Sequence, residues 1–246
     1  MRLYFALGAF IFFCFALPSH AGEFDAERRK MVKEVMADAA YTSSYSGGSG
    51  LSPGVIAAME KVERHRFVPF GLVASAYFNR PLPIGYGQTI SQPFIVALMT
   101  DLLDLEPGDM VLEVGTGAGY QAAILAALAK RVYSVEIIEE LASGAERRLK
   151  RLGCGNVEIK VGNGYYGWPE HAPYDKIMVT AAADLIPPPL LGQLKAGGRM
   201  VIPTGIPDRQ ALILVEKSVS GSLSTREILP VRFSELEDPG AMAGVA

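Results

Sequence analysis

Residues 110–120, MVLEVGTGAGY, carry an apolar run into three glycines, Gly115, Gly117 and Gly119, and an Ala-rich helical stretch follows over 121–129. A glycine turn after a strand lets the backbone approach a ligand closely, and the start of the next helix offers it unpaired N–H groups. The spacing G-x-G-x-G falls one residue short of the dinucleotide fingerprint G-x-G-x-x-G. Glu113 stands two places before the first glycine, where it needs a cationic or hydroxyl partner. A second apolar run, 132–135, ends in Glu136, at about the distance from the glycines at which an acid holds ribose hydroxyls. Together these features fit S-adenosyl-L-methionine better than NAD; NAD-type binding and a bare structural turn are the alternatives.

The other chemically dense segment is 79–93, NRPLPIGYGQTISQP, which gathers Gln88, Thr89, Ser91 and Gln92 among three prolines and two glycines. Composition alone favours an ordered, rigid loop in which Ser91 is the N-cap of the next helix. No metal site is arguable, because past residue 21 the histidines are His65 and His171, far apart and without cysteine partners. So few histidines leave little room for a serine-hydrolase triad, and acyl transfer is disfavoured.

These residues need a frame. The chain has 246 residues, half of them apolar, enough for one sizeable core. Residues 25–39 read as an N-terminal helix, the polar tract 42–52 as a flexible connection, and Ser52-Pro53 as the start of a helix turning Ile56, Met59 and Val62 inward. A helix is expected over 94–103. Strands are expected at 110–114, 132–135, 157–161, 176–180, 199–202, 211–217 and 228–233. Helices are expected over 121–129 and 139–152 and near 190–194. Such alternation implies a parallel sheet with helices on both faces. Ligands then sit beyond the carboxyl ends of the strands, where Gly115, Glu136 and Asn163 converge.

Arg2, the apolar run 3–17 and the exit Ser19-His20-Ala21 have the form of a secretory signal peptide cleaved after Ala21. The run is shorter than the roughly 20 residues that span a bilayer, and Phe13 before Cys14 argues against a lipoprotein site. Removal of this segment takes Arg2 with it and leaves 22 basic against 26 acidic residues, a net of −4 that gives no reason to expect a nucleic-acid partner. It also leaves Cys154 without a disulfide partner.

Several segments resemble the protein-L-isoaspartate O-methyltransferase family: ERHRFVP (63–69), RPLPIGYGQTISQP (80–93), VLEVGTGAGYQAAILA (111–126), VYSVE (132–136), GNGYYGWPEHAPYD (162–175) and TAAADLIPPPLLGQLKAGGRMVIPTG (180–205). The likeness runs from about residue 26 to residue 233, and the TISQP loop together with GWPEHAPYD carries it to this family in particular. It implies an α/β, Rossmann-like methyltransferase fold, a seven-stranded mostly parallel sheet with helices on both faces. It also implies methyl transfer from S-adenosyl-L-methionine to the free α-carboxylate of isoaspartyl residues in damaged proteins and peptides. The ester then collapses to a succinimide whose hydrolysis returns part of the damage to aspartate.

By the same resemblance Ser91 takes the active-site serine position, and Thr89 and Arg232 fall on the substrate side. Glu113 and the three glycines frame the methionine part of the cofactor, Glu136 takes the ribose position, and Asn163 stands near the adenine in place of a family acid. Extended peptide is expected to cross the TISQP loop and residues 64–69. Two further departures are Asn79, where many members have an acid, and Ser234-Glu235-Leu236, where the family continuation is more apolar. The expected organisation is a signal peptide over 1–21 and one domain over 22–246, its helical segment of about 25–93 on the substrate side. The expected mature protein is an exported monomer without metal, nucleic acid or stable membrane association; the family's usual setting is the cytoplasm. A same-fold methyltransferase for another carboxylate or a small molecule, and a non-catalytic exported binder of isoaspartyl or unfolded segments, are the rival readings.

Overall fold

Helices α1 (Asp25–Ser46) and α2 (Pro53–Lys61) open the chain, followed by a hairpin of β1 (Leu82–Gly85) and β2 (Gln88–Ile90) and by α3 (Pro93–Leu102). Strands and helices then alternate as β3 (Met110–Val114), α4 (Tyr120–Ala126), β4 (Arg131–Glu136), α5 (Glu139–Arg151), β5 (Val157–Val161) and β6 (Tyr174–Val179). They end with α6 (Pro188–Gln193), β7 (Leu194–Ile206), β8 (Arg209–Lys217) and β9 (Leu223–Val231). This computed structural model describes residues 22–46 and 50–237; the signal-like segment 1–21 lies outside the described residues.

The seven later strands form one sheet in the order β5-β4-β3-β6-β7-β8-β9. The first five in that order run parallel, while β8 is antiparallel to both of its neighbours. The central strand β3 is buried from Val111 to Val114, as expected of a strand covered on both faces. Successive side chains divide between two cores. Val111, Val132, Met178 and Val201 pack with α1 to α4 and with Leu149 of α5. Leu112, Val114, Tyr133, Ile177 and Met200 face the other way, toward Trp168 and Leu190 of α6.

Three local expectations change. Helix α1 runs on through Ser46 into the tract read as flexible, its polar side chains turned back on the helix: the Thr42 hydroxyl donates to the Asp38 carbonyl (2.9 Å) and the Ser43 hydroxyl to that of Ala40 (2.8 Å). Helix α2 has the expected Ser52 cap, whose hydroxyl accepts from the Val55 N–H, but it buries Val55, Ala58 and Met59 and leaves Ile56 and Val62 half-buried. Strands β7 and β9 begin at Leu194 and Leu223, earlier than their apolar cores alone suggest.

Segment 79–93 is a hairpin and not an irregular loop: Leu82 pairs with Ile90 and Pro83 with Thr89 across a turn in which Tyr86 has φ 54°. Ser91 is not the cap of α3. That position belongs to Gln92, whose side chain makes no capping bond. The work is done from a distance by Asn79, whose Oδ1 accepts the Phe94 N–H (3.0 Å) while its Nδ2 donates to Asp38 Oδ2 (2.7 Å).

Candidate active site

The glycine loop leaves β3 at the carboxyl edge of the sheet. Gly115, at φ 96°, donates its N–H to the Val135 carbonyl (2.8 Å) and offers its own carbonyl to the Thr180 hydroxyl (2.7 Å). Gly117 donates to Glu136 Oε2 (2.7 Å), and the other oxygen of that carboxylate accepts the Ile138 N–H (3.0 Å). The Ala118 carbonyl takes a bond from Arg148 of α5 (2.8 Å). Backbone and carboxylate therefore fix one another. Gly115, Gly117, Glu136 and Asn163 line a single crevice, as the alternation of strands and helices required.

Glu113 and Gly119 do not line that crevice. Glu113 is fully buried beneath the loop, and the parallel register of β3 with β4 sets it beside Ser134, whose hydroxyl donates to Oε2. The Thr116 hydroxyl lies 2.6 Å from that of Ser134. The other carboxyl oxygen, Oε1, has no partner among the described residues. Burial, abetted by the negative charge of Glu136 and opposed by the Ser134 bond, pushes the Glu113 carboxyl up to about 8. Gly119 caps α4 at φ 88°, and a Cβ there would lie 3.2 Å from Leu149 and 3.3 Å from Ala145. Its smallness serves the close packing of α4 on α5.

Asn163 caps the short turn Gly164–Tyr166 by accepting the Tyr165 N–H at Oδ1 (2.9 Å), and lines the crevice with that oxygen already engaged. The wall beyond is formed by the end of the chain. The Ala182 N–H donates to the Ser234 carbonyl (2.8 Å) and the Leu236 N–H to that of Ala182 (2.7 Å), strapping residues 234–237 along the crevice. Leu236 packs into the second core, so this departure from the family pattern has its own anchor.

A second cavity adjoins the first. Ser91, Thr89, Gln88 and Thr180 line both, and Arg232, Phe233 and Ile95 line the second. The structure thus brings the three substrate-side residues Ser91, Thr89 and Arg232 to one cavity. It does not bring residues 64–69 there as a peptide surface. Arg64 and Phe67 are buried, the Arg64 Nε donating to the Ala76 carbonyl (2.8 Å) with its guanidinium 4.9 Å over the Tyr120 ring. Desolvation lowers the Arg64 pKa to about 10. Thr180 and Arg148 are absent from the residues singled out in the sequence. For Thr180 a signal existed, because it closes the expected strand 176–180; for Arg148 none did, its contact being made to a loop thirty residues upstream. Among the described residues no cluster of His, Cys, Asp or Glu could hold a metal ion.

A family model described as protein-L-isoaspartate(D-aspartate) O-methyltransferase matches residues 39–239. The protein-L-isoaspartate O-methyltransferase 1 of Polaromonas sp. is 60% identical over 216 residues, which is 88% of this chain and 92% of the relative. The protein of the same name from Nitrosospira multiformis is 58% identical over 232 residues, 94% of this chain and 95% of the relative. A solved structure of a protein-L-isoaspartate O-methyltransferase superposes with a TM-score of 0.73 at 31% identity, covering 86% of this chain and 66% of its own. A match of this length, spanning the glycine loop, Glu136 and the wall shared by the two cavities, makes the chain a member of the protein-L-isoaspartate O-methyltransferase family.

Proposed function

We propose that the chain repairs damaged proteins by moving a methyl group from S-adenosyl-L-methionine to the α-carboxylate of L-isoaspartyl residues, with Ser91 orienting that carboxylate. The carrying observation is the shared wall: Ser91 borders both the glycine-loop crevice and the cavity behind it. The crevice suits the donor. Glu136 accepts one N–H at each oxygen and retains lone pairs for two ribose hydroxyls. Asn163 stands toward the adenine, and the rim residues Glu235 and Glu237 favour a positively charged ligand. Bound there, S-adenosyl-L-methionine supplies an electrophilic methyl group on a sulfonium sulfur.

The acceptor carboxylate, with an ordinary pKa of about 3.5, is already ionised at neutral pH. Its oxygen needs no general base and no proton moves, so the task of the chain is placement. Arg232, which has no ion-pair partner among the described residues, draws the anion in. The hydroxyls of Ser91 and Thr89 donate to it. Ser91 acts as an orienter and not as a covalent nucleophile. A normal aspartyl side chain offers its carboxylate one methylene out of register, which in-line displacement does not tolerate.

The test is methyl incorporation into an isoaspartyl peptide beside its aspartyl twin. The expected result is methylation of the isoaspartyl peptide alone. Ser91→Ala is expected to lower turnover by roughly tenfold to a thousandfold, the scale of losing one positioned hydrogen bond, at unchanged donor affinity. Equal rates on the two peptides, or full activity in Ser91→Ala, would overturn this reading. The chain is further proposed to act as an exported monomer, its first 21 residues having the form of a signal peptide. Light scattering on the mature protein checks the monomer, a dimer mass refuting it.

A further inference from the structure

Thr180 is the first residue beyond β6, at the point where the sheet order turns from β3 toward β4 on one side and toward β6 on the other. Its main-chain N–H donates to the Val114 carbonyl (2.8 Å), which ties the ends of β3 and β6 together. Its hydroxyl oxygen lies 2.7 Å from the Gly115 carbonyl and 3.0 Å from that of Val114. One proton serves both, the shorter contact being to the glycine loop. A Cβ at Gly115 would come within 2.3 Å of this oxygen, so the hydroxyl rests directly against the first α-carbon of the loop. The same side chain lines both the donor crevice and the acceptor cavity, alongside Ser91.

We propose that Thr180 is a positioning residue that fixes the glycine loop relative to Ser91, and so sets the separation of donor and acceptor. The Gly115 peptide is gripped from two sides, by the Val135 carbonyl at its N–H and by the Thr180 hydroxyl at its carbonyl. Removing the hydroxyl leaves the Gly115 carbonyl without that donor and lets a loop with φ values of 96° and 53° at Gly115 and Gly117 relax. None of the side chains that meet the acceptor, Ser91, Thr89 and Arg232, is hydrogen-bonded to Thr180. The damage should therefore fall on donor affinity and on turnover, and spare acceptor affinity.

The inference rests on the methyltransferase reading, and its test separates the two. Thr180→Val keeps the volume and branching and removes only the oxygen; Thr180→Ser keeps the hydroxyl. Calorimetry with S-adenosyl-L-homocysteine, which needs no turnover, is expected to show a Kd raised about tenfold in Thr180→Val, the size of one lost hydrogen bond. In Thr180→Ser the Kd should return to within about threefold of the wild type. With isoaspartyl peptide, kcat of Thr180→Val is expected to fall by roughly tenfold to a hundredfold while the peptide KM stays put. Should the valine variant unfold below the assay temperature, Thr180→Ala provides the same comparison. Wild-type Kd and kcat in Thr180→Val would overturn the proposal and make Thr180 a space-filler. Equal losses in Thr180→Val and Thr180→Ser, tracking a lowered Tm, would overturn it in favour of a purely structural role. A wild-type chain that binds S-adenosyl-L-homocysteine but leaves the isoaspartyl peptide unmethylated defeats the functional reading and not the role of Thr180.

Discussion

Glu113 and Glu136 stand on neighbouring strands at the same edge of the sheet and have opposite environments. Glu136 receives two backbone N–H bonds at the crevice, whereas Glu113 is sealed beneath it with one oxygen unpaired. Glu136→Ala removes the proposed ribose acceptor and also frees the Gly117 N–H. It is expected to weaken S-adenosyl-L-homocysteine binding by about 1.5 to 3 kcal/mol in calorimetry, and an unchanged Kd would take Glu136 out of the site. Glu113 makes itself felt through pH. Its folded pKa of about 8 stands above the ordinary 4.5, so the folded chain holds a proton that the unfolded chain releases between those values. The stability tied to that proton is complete below about pH 4.5 and is lost as pH rises through 8. Calorimetric Tm values from pH 5 to 8 are therefore expected to fall more steeply for the wild type than for Glu113→Gln; parallel curves would place the charge elsewhere. The requirement of Glu113 for a cationic or hydroxyl partner was legible in the sequence. The identity of that partner was not, because it depends on how β3 aligns with β4, which no local pattern encodes.

At the level of elements, the segment with most turn chemistry hid the largest surprise. A serine just ahead of a proline-started helix has the signature of a cap, yet the N–H of Phe94 is served by Asn79, fifteen residues upstream. An amide is required there, since it must accept from Phe94 and donate to Asp38 at once. Asn79→Asp restores the acid common in the family but sets it against the Asp38 carboxylate. It is expected to destabilise the chain by about 1 kcal/mol in urea titration, and Asp38→Asn on that background should recover most of the loss. Failure of the second change to help would show that Asp38 is not the conflict. Freed from capping, Ser91 is left to face the cavities. Helices and strands with regular periodicity, such as α5 and β3, were legible almost to their ends, because their patterns report burial on a single face or on both. The hairpin was not, since its pairing rests on a positive-φ Tyr86 that nothing in composition marks.

For the whole molecule, the alternation of elements foretold the sheet and the edge at which the site lies, while the adjoining second cavity arises from packing β2 near the end of β9, two segments some 140 residues apart in sequence. The signal-like start leads to an expected mature N-terminus at Gly22, read by N-terminal sequencing of natively expressed protein. Recovery of the full-length chain from cytoplasm alone would return the protein to the setting usual in the family. The strap formed by residues 234–237 bears on how the protein comes into being. The donor crevice begins at Gln88 and closes at Glu237, so it is complete only once residue 237 has been made and folded into place. A nascent chain on the ribosome, or one threaded unfolded through a translocon, cannot retain the donor or draw stability from it. Whatever charges this enzyme with cofactor must meet it after Glu237 is in place, in the compartment where residues 88–237 first fold together.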